Sequence, residues 1–269
     1  MENQFKEKYG PWAIVTGSSS GIGAEFANQL AAYGINVILV ARRKAMLDSL
    51  ATELKEKYKV ECMTIESDLS KDGFQFDILD ATKDLDVGMV VNNAGMNCEG
   101  QFYRGSLDRN LQMIQLNIKA PFILAYEYGK KFIERGKGGI VFTSSISAFN
   151  ANPFLSHYAA SKAYILSLAE SLNYEFKDKN VDVLALCPGF TESEMTKGMK
   201  DNPMMMKAAP VVKEALDNLG KKAYVVPGFI NKAQIFLTSR LLSRNTAKNV
   251  SGAMMKRILP GVVKKKKKE

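Results

Sequence analysis

Apolar residues fall along this chain in short continuous runs, separated by stretches in which they recur every three to four positions. The runs are Trp12 to Thr16, Asn36 to Ala41, Val60 to Glu66, Gly88 to Asn92, Gly139 to Thr143 and Val181 to Leu186. Short runs rich in Val, Ile and Leu read as strands buried on both faces. Gly21 to about Tyr33 and Lys44 to Lys57 read as helices, and helices fill the remaining gaps. Strands alternating with helices predict a parallel sheet, and right-handed crossovers make it a doubly wound α/β fold. Ala223 to Gly228 is a candidate edge strand, and Ile230 to Arg257 reads as one or two amphipathic helices. No repeat and no long linker interrupts the pattern, so a single domain is expected over 1–269.

The first strand runs into Thr16-Gly17-Ser18-Ser19-Ser20-Gly21-Ile22-Gly23. Glycines let a backbone approach a pyrophosphate, and a helix starting there aims amide N–H groups and its positive dipole end at the anion. The spacing is GxxxGxG rather than the commoner GxGxxG, and such turns also occur as plain connectors. At the end of the second strand, where an NAD-binding chain usually places an acid for the ribose 2′-hydroxyl, stand Ala41-Arg42-Arg43-Lys44. Guanidinium groups pair with a 2′-phosphate, so Arg42 and Arg43 point to NADP(H) rather than NAD(H). The same turn also spells G-x-S-x-G, the nucleophile elbow of a serine hydrolase. That reading lacks the expected preceding oxyanion-loop strand and has a single candidate base, His157.

Asn92-Asn93-Ala94-Gly95 follows the fourth strand, and Ser144-Ser145 ends the fifth. Tyr158 and Lys162 stand four residues apart in a helical stretch and therefore share a face. An ammonium group beside a phenol lowers the phenol's pKa, which suits proton exchange with a substrate oxygen that Ser145 also bonds. Pairs of this kind are common on helices without any function, so the weight lies in the combination.

That combination resembles the short-chain dehydrogenase/reductase family over roughly residues 10 to 230. The resemblance is carried by TGSSSGIG, NNAG, the Ser145 to Tyr158 spacing, YAASK and Cys187-Pro188-Gly189. It implies a Rossmann-like fold and catalytic roles for Ser145, Tyr158 and Lys162. It adds Asn117 as the residue holding a water that links Lys162 to solvent. Asp68-Leu69 would contact adenine, and Pro188, Gly189 and Thr191 would border the nicotinamide carboxamide. With Gly17, Ser19, Ser20, Gly21, Ile22, Gly23, Asn93, Ala94 and Gly95 these complete the expected cofactor site. Tyr9 to Gly17 and Val40 to Arg43 look most like the branch of steroid dehydrogenases and 3-oxoacyl-CoA reductases. The implied activity is hydride transfer between NADP(H) and an apolar carbonyl or alcohol. A non-catalytic NADP(H)-binding sensor or scaffold is the alternative. Family members associate through the helices flanking the fifth strand, here about 109–135 and 157–176, so a homodimer or homotetramer is expected. In the family, residues 191–222 form the substrate lid; here the lid carries Met195, Met199, Met204, Met205 and Met206. Flexible methionines suit a lipid-like substrate, and a packed loop explains them equally well.

Charge changes the picture little. There are 37 Lys and Arg against 28 Asp and Glu, a net +9 of which Lys264 to Glu269 supply +4. A moderately basic body fits an anionic cofactor, and no nucleic-acid-binding motif accompanies it. Residues 260–269 are expected to be a disordered polybasic tail. With the basic positions of 230–257 they would suit an anionic membrane, but a helix covering the sheet or a subunit contact is the preferred reading. Three scattered cysteines and one histidine fit a reduced, cytoplasmic protein with no metal site. No secretory leader or membrane span is expected from the pattern.

Overall fold

The computed structural model describes residues 2–197 and 204–258. Seven strands, β1 (Trp12–Thr16), β2 (Asn36–Ala41), β3 (Cys62–Glu66), β4 (Val87–Asn92), β5 (Gly138–Thr143), β6 (Val181–Leu186) and β7 (Tyr224–Val225), form one sheet in the order β3-β2-β1-β4-β5-β6-β7. Every neighbouring pair is parallel. The strand order reverses between β1 and β4, and ligands of such sheets bind in the crevice beyond the strand C-termini at that switch.

Side chains alternate across the strands and feed two cores. Ala13, Val15, Val37, Leu39 and Leu184 face one layer, made by α2 (Gly21–Ala32), α3 (Lys44–Tyr58) and α8 (Ala208–Asn218). Ile14, Ile38, Val90, Ile140, Phe142 and Val183 face the other, made by α4 (Phe74–Ala81), α6 (Ala120–Arg135) and α7 (Ser156–Glu175). Strands buried on both faces explain why the runs lack polar interruption. Gly138 leaves room for the Phe132 ring, since a Cβ there would lie 2.5 Å from it.

The sequence pattern misses α1 (Glu2–Tyr9), whose Tyr9 is buried in the first core and bonds Asp182 through its hydroxyl. It is short and mostly polar, so periodicity alone does not mark it. Between α5 (Leu107–Ile114) and α6 the helix widens into a π turn at Gln115–Lys119. The C-terminal extension divides into α9 (Phe229–Phe236), a second π turn at Leu237–Leu241, and α10 (Arg244–Ile258). Met199 and the segment 260–269 lie outside the described residues. Among the described residues no helix is long and apolar enough to cross a membrane.

Candidate active site

A cleft of about 580 Å³ opens at the C-terminal ends of the strands. Its walls include Gly17, Ser19, Ser20, Ile22, Arg42, Arg43, Asp68, Leu69, Asn93, Ala94, Gly95, Ser145, Tyr158, Lys162, Pro188, Gly189 and Thr191. The topology thus gathers most of the expected site residues into one wall. Gly21, Gly23 and Asn117 are not part of that wall.

Local bonding explains how the wall is held. Thr16 Oγ1 accepts from the backbone N–H groups of Asn93 and Ala94, at 2.9 and 3.1 Å. Asn93 Nδ2 returns a bond to Thr16 O at 3.0 Å, and Thr143 Oγ1 donates to Asn93 Oδ1 at 3.2 Å. These contacts fasten the loops after β1, β4 and β5 together. A Cβ at Gly23 would stand 2.2 Å from Gly17 O, so only glycine lets α2 start against the loop. Gly17 itself takes φ +66°, a left-handed backbone that favours glycine. Ser20 caps α2 without a side-chain bond, and the first turn carries no acid. Amides left uncapped at a helix start form an anion site.

Arg42 is exposed at this end and faces Asp68. Burial alone would raise the Asp68 carboxyl, but its bonds from Ser70 and the charges of Arg42 and Lys71 hold it below its ordinary value. Arg43 bonds Ser19 Oγ at 2.7 Å and pairs with Glu194. Two arginines and an uncapped helix start fit the phosphates of a dinucleotide.

At the other end, Ser145 is buried and its hydroxyl accepts from Ser147 N at 3.1 Å. Lys162, 5% exposed, donates from Nζ to Thr143 O at 2.8 Å. Its Nζ lies 5.6 Å from the centre of the Tyr158 ring, so the two side chains share a face of α7 as their spacing predicts. Burial lowers the Lys162 pKa to about 8. The Tyr158 phenol departs from expectation. Burial raises its pKa above the ordinary value, with the Ser145 hydroxyl pulling the other way. Lys162 directs its hydrogen bond to the Thr143 carbonyl and is itself only weakly held as a cation, so desolvation outweighs its field. Tyr158 is therefore protonated at neutral pH in this site.

Asn117 sits in the π turn, 1% exposed. Its Oδ1 accepts from Met96 N, and its Nδ2 donates to Met96 O and Ser161 Oγ, at 2.9, 2.9 and 3.1 Å. The side chain thus ties the segment after Gly95 to α7. The widened turn fits such a task, since π turns often mark functional positions. His157 stacks on Phe102 with ring centres 4.6 Å apart, while Ser19 bonds Arg43. Among the described residues those two form no Ser–His pair, which removes the hydrolase geometry. Cys98 Sγ donates to Arg109 O at 3.6 Å. Cys187 falls just after β6, and burial pushes its thiol up to about 12. Among the described residues no group of three or more His, Cys, Asp or Glu could hold a metal ion.

The substrate end contains residues the sequence reading missed. Asn97, Glu99, Asn150, Asn152, Gln234, Thr238, Ser251, Met254 and Met255 line it. Asn150 Nδ2 donates to Thr238 Oγ1, and Ser251 Oγ to Asn152 Oδ1, at 2.8 and 2.7 Å. These bonds pin the tail helices to the segment between Ser145 and Tyr158. The position of that segment was a usable signal; nothing in the pattern of the tail announces Met254 or Met255. The lid methionines divide: Met195 lines the cleft, while Met206 packs on the first core and pairs with Thr191.

The short chain dehydrogenase family model matches residues 11–203, and the chain belongs to that family. It is 35% identical to a 7β-hydroxysteroid dehydrogenase of Clostridium sardiniense over 236 residues, 86% of this chain and 90% of that enzyme. It is also 35% identical to the very-long-chain 3-oxoacyl-CoA reductase of Homo sapiens over 217 residues, 78% of this chain and 69% of that protein. A solved structure from a study of 7β-hydroxysteroid dehydrogenase stereoselectivity superposes with a TM-score of 0.87 at 26% identity, covering 92% of this chain and 98% of that one. The chain is an oxidoreductase of the hydroxysteroid dehydrogenase-like branch, acting on hydroxyl or carbonyl groups.

Proposed function

We propose that this chain is an NADP(H)-dependent reductase of an apolar ketone, of steroid or 3-oxoacyl type, which also oxidises the matching alcohol. One observation carries the reading. One cleft has two arginines, and no acid in the turn directly after β2, at one end, and Ser145, Tyr158 and Lys162 at the other. Arg42, Arg43, Ser19, Ser20 and the start of α2 would hold the phosphates. Asp68 and Leu69 would border the adenine, and Asn93 to Gly95 with Pro188, Gly189 and Thr191 the rest. When bound, the nicotinamide supplies or accepts the hydride.

The chain's own groups handle the oxygen. Ser145 and Tyr158 donate hydrogen bonds to the carbonyl oxygen, where negative charge grows. Tyr158, protonated because burial raises its pKa, then gives up its proton from the phenol oxygen. Lys162, near neutrality at about 8, is suited to pass a proton back toward that site, with Asn117 holding the route. Met195, Met254 and Met255 give the substrate end an adaptable apolar lining, which supports a bulky substrate.

Exposed Leu107 and Leu111 on α5, and Phe122 and Tyr126 on α6, support a homodimer or homotetramer through these helices. The tail helices are read as packing elements of the cleft; salt-sensitive liposome binding lost on deleting residues 230–269 would overturn that. Free Cys62, Cys98 and Cys187 suit a reducing cytoplasm. The test of function is NADPH absorbance against steroid ketones, 3-oxoacyl thioesters and small ketones. Turnover favouring the bulky apolar members is expected. Tight NADPH binding with no turnover anywhere would establish a non-catalytic binder instead.

A further inference from the structure

The lid reaches back to the cofactor end of the cleft. Glu194 opens the 3₁₀ turn Glu194–Thr196, and its Oε1 lies 2.5 Å from Arg43 Nη1. The other arm of that guanidinium, Nη2, donates to Ser19 Oγ at 2.7 Å and more weakly to Ser20 Oγ at 3.4 Å. The turn is not a loose loop. Thr196 Oγ1 donates to Thr191 O at 2.7 Å, and Ser193 packs so closely on Gly21 that a Cβ there would approach it to 2.9 Å. Arg42 lines the same wall and makes no hydrogen bond or ion pair among the described residues. The two arginines are thus unequal. One has only the longer-range charge of Asp68 beside it, and the other already holds a carboxylate of the chain in a direct ion pair.

A guanidinium fork flanked by hydroxyls accepts a phosphate oxygen on the same terms as a carboxylate oxygen. The two anions repel and cannot share the fork. The pair is partly exposed on both sides, and such pairs are weak enough for a dianion to displace. We propose that Glu194 is a cofactor-specificity determinant, competing with a cofactor 2′-phosphate for Arg43. It thereby weakens NADP(H) binding while leaving NAD(H) binding alone. The inference rests on the phosphate reading of Arg42 and Arg43 above.

The test is Glu194→Gln, which keeps the shape and removes the charge, with NADPH and NADH binding followed by nicotinamide fluorescence. NADPH should bind about 3- to 10-fold more tightly, with NADH little changed. In an Arg43→Ala background the gain should vanish. NADPH binding unchanged or weakened, both cofactors moving together, or a gain that survives loss of Arg43 would each overturn the proposal. The cofactor reading fails separately. Wild type preferring NADH, with Glu194→Gln still tightening NADPH alone, would remove the NADP(H) assignment and leave the role of Glu194 standing.

Discussion

The two ends of the cleft are built differently. The cofactor end is made of loops that follow strands, locked by close backbone approach: a glycine where a Cβ would strike a carbonyl, and a threonine at the end of β1 that accepts two successive amides of the loop after β4. The substrate end is joined by single bonds between two side chains, such as Ser251 to Asn152. One end has little freedom to vary because backbone meets backbone there. The other leaves room for change because a different side chain alters the cavity without disturbing the sheet.

The comparison can be broken at several points. The largest effect is expected for Tyr158→Phe, which keeps the ring and removes the donor. Turnover should fall about 10²- to 10⁴-fold while NADPH affinity stays near wild type. Equal losses in both would make Tyr158 a binding residue. Lys162→Met tests the buried cation. Folded Lys162 titrates near 8, whereas the unfolded residue titrates near 10.5. Between those values the unfolded chain binds the extra proton, so wild-type stability without ligand rises with pH there, and the burial penalty is fully present below about 8. The stability of the variant relative to wild type should therefore fall by roughly 3 kcal/mol across the window, followed by denaturant midpoints. A flat difference would mean that Lys162 keeps its ordinary pKa.

Replacing both Arg42 and Arg43 by alanine should weaken NADPH binding about 10- to 100-fold and leave NADH binding nearly unchanged. A common loss for both cofactors would place the arginines on the pyrophosphate instead. The smallest effect is expected at the adjustable end. Ser251→Ala should raise KM for an apolar carbonyl about threefold, through loosening of α10, with NADPH affinity unaltered. A shift in cofactor affinity without a change in KM would show that the two ends are not separable.

The same division explains what could be read before folding. β1, β2 and β6 were legible to the residue because strands buried on both faces leave uninterrupted apolar runs. Tyr158 and Lys162 were legible because helical spacing dictates a shared face. The direction of the Tyr158 shift was not, since it depends on how deeply the phenol is buried and on Lys162 turning to Thr143 O. Glu194 meeting Arg43, and Asn152 meeting Ser251, join positions 151 and 99 residues apart, and no local pattern encodes such meetings. The short helix α1 was missed for a different reason: its anchoring is tertiary, through the buried Tyr9.

The most direct trial of the central claim is isotopic. NADPH carrying deuterium at the transferable position of its nicotinamide is incubated with the protein and a steroid ketone or 3-oxoacyl thioester, and the alcohol is analysed by mass spectrometry. The account predicts one deuterium on the new carbinol carbon for wild type, and the same labelled alcohol in about 10²- to 10⁴-fold smaller amount for Tyr158→Phe. Alcohol formed without the label, or formed by the variant as fast as by wild type, would contradict it.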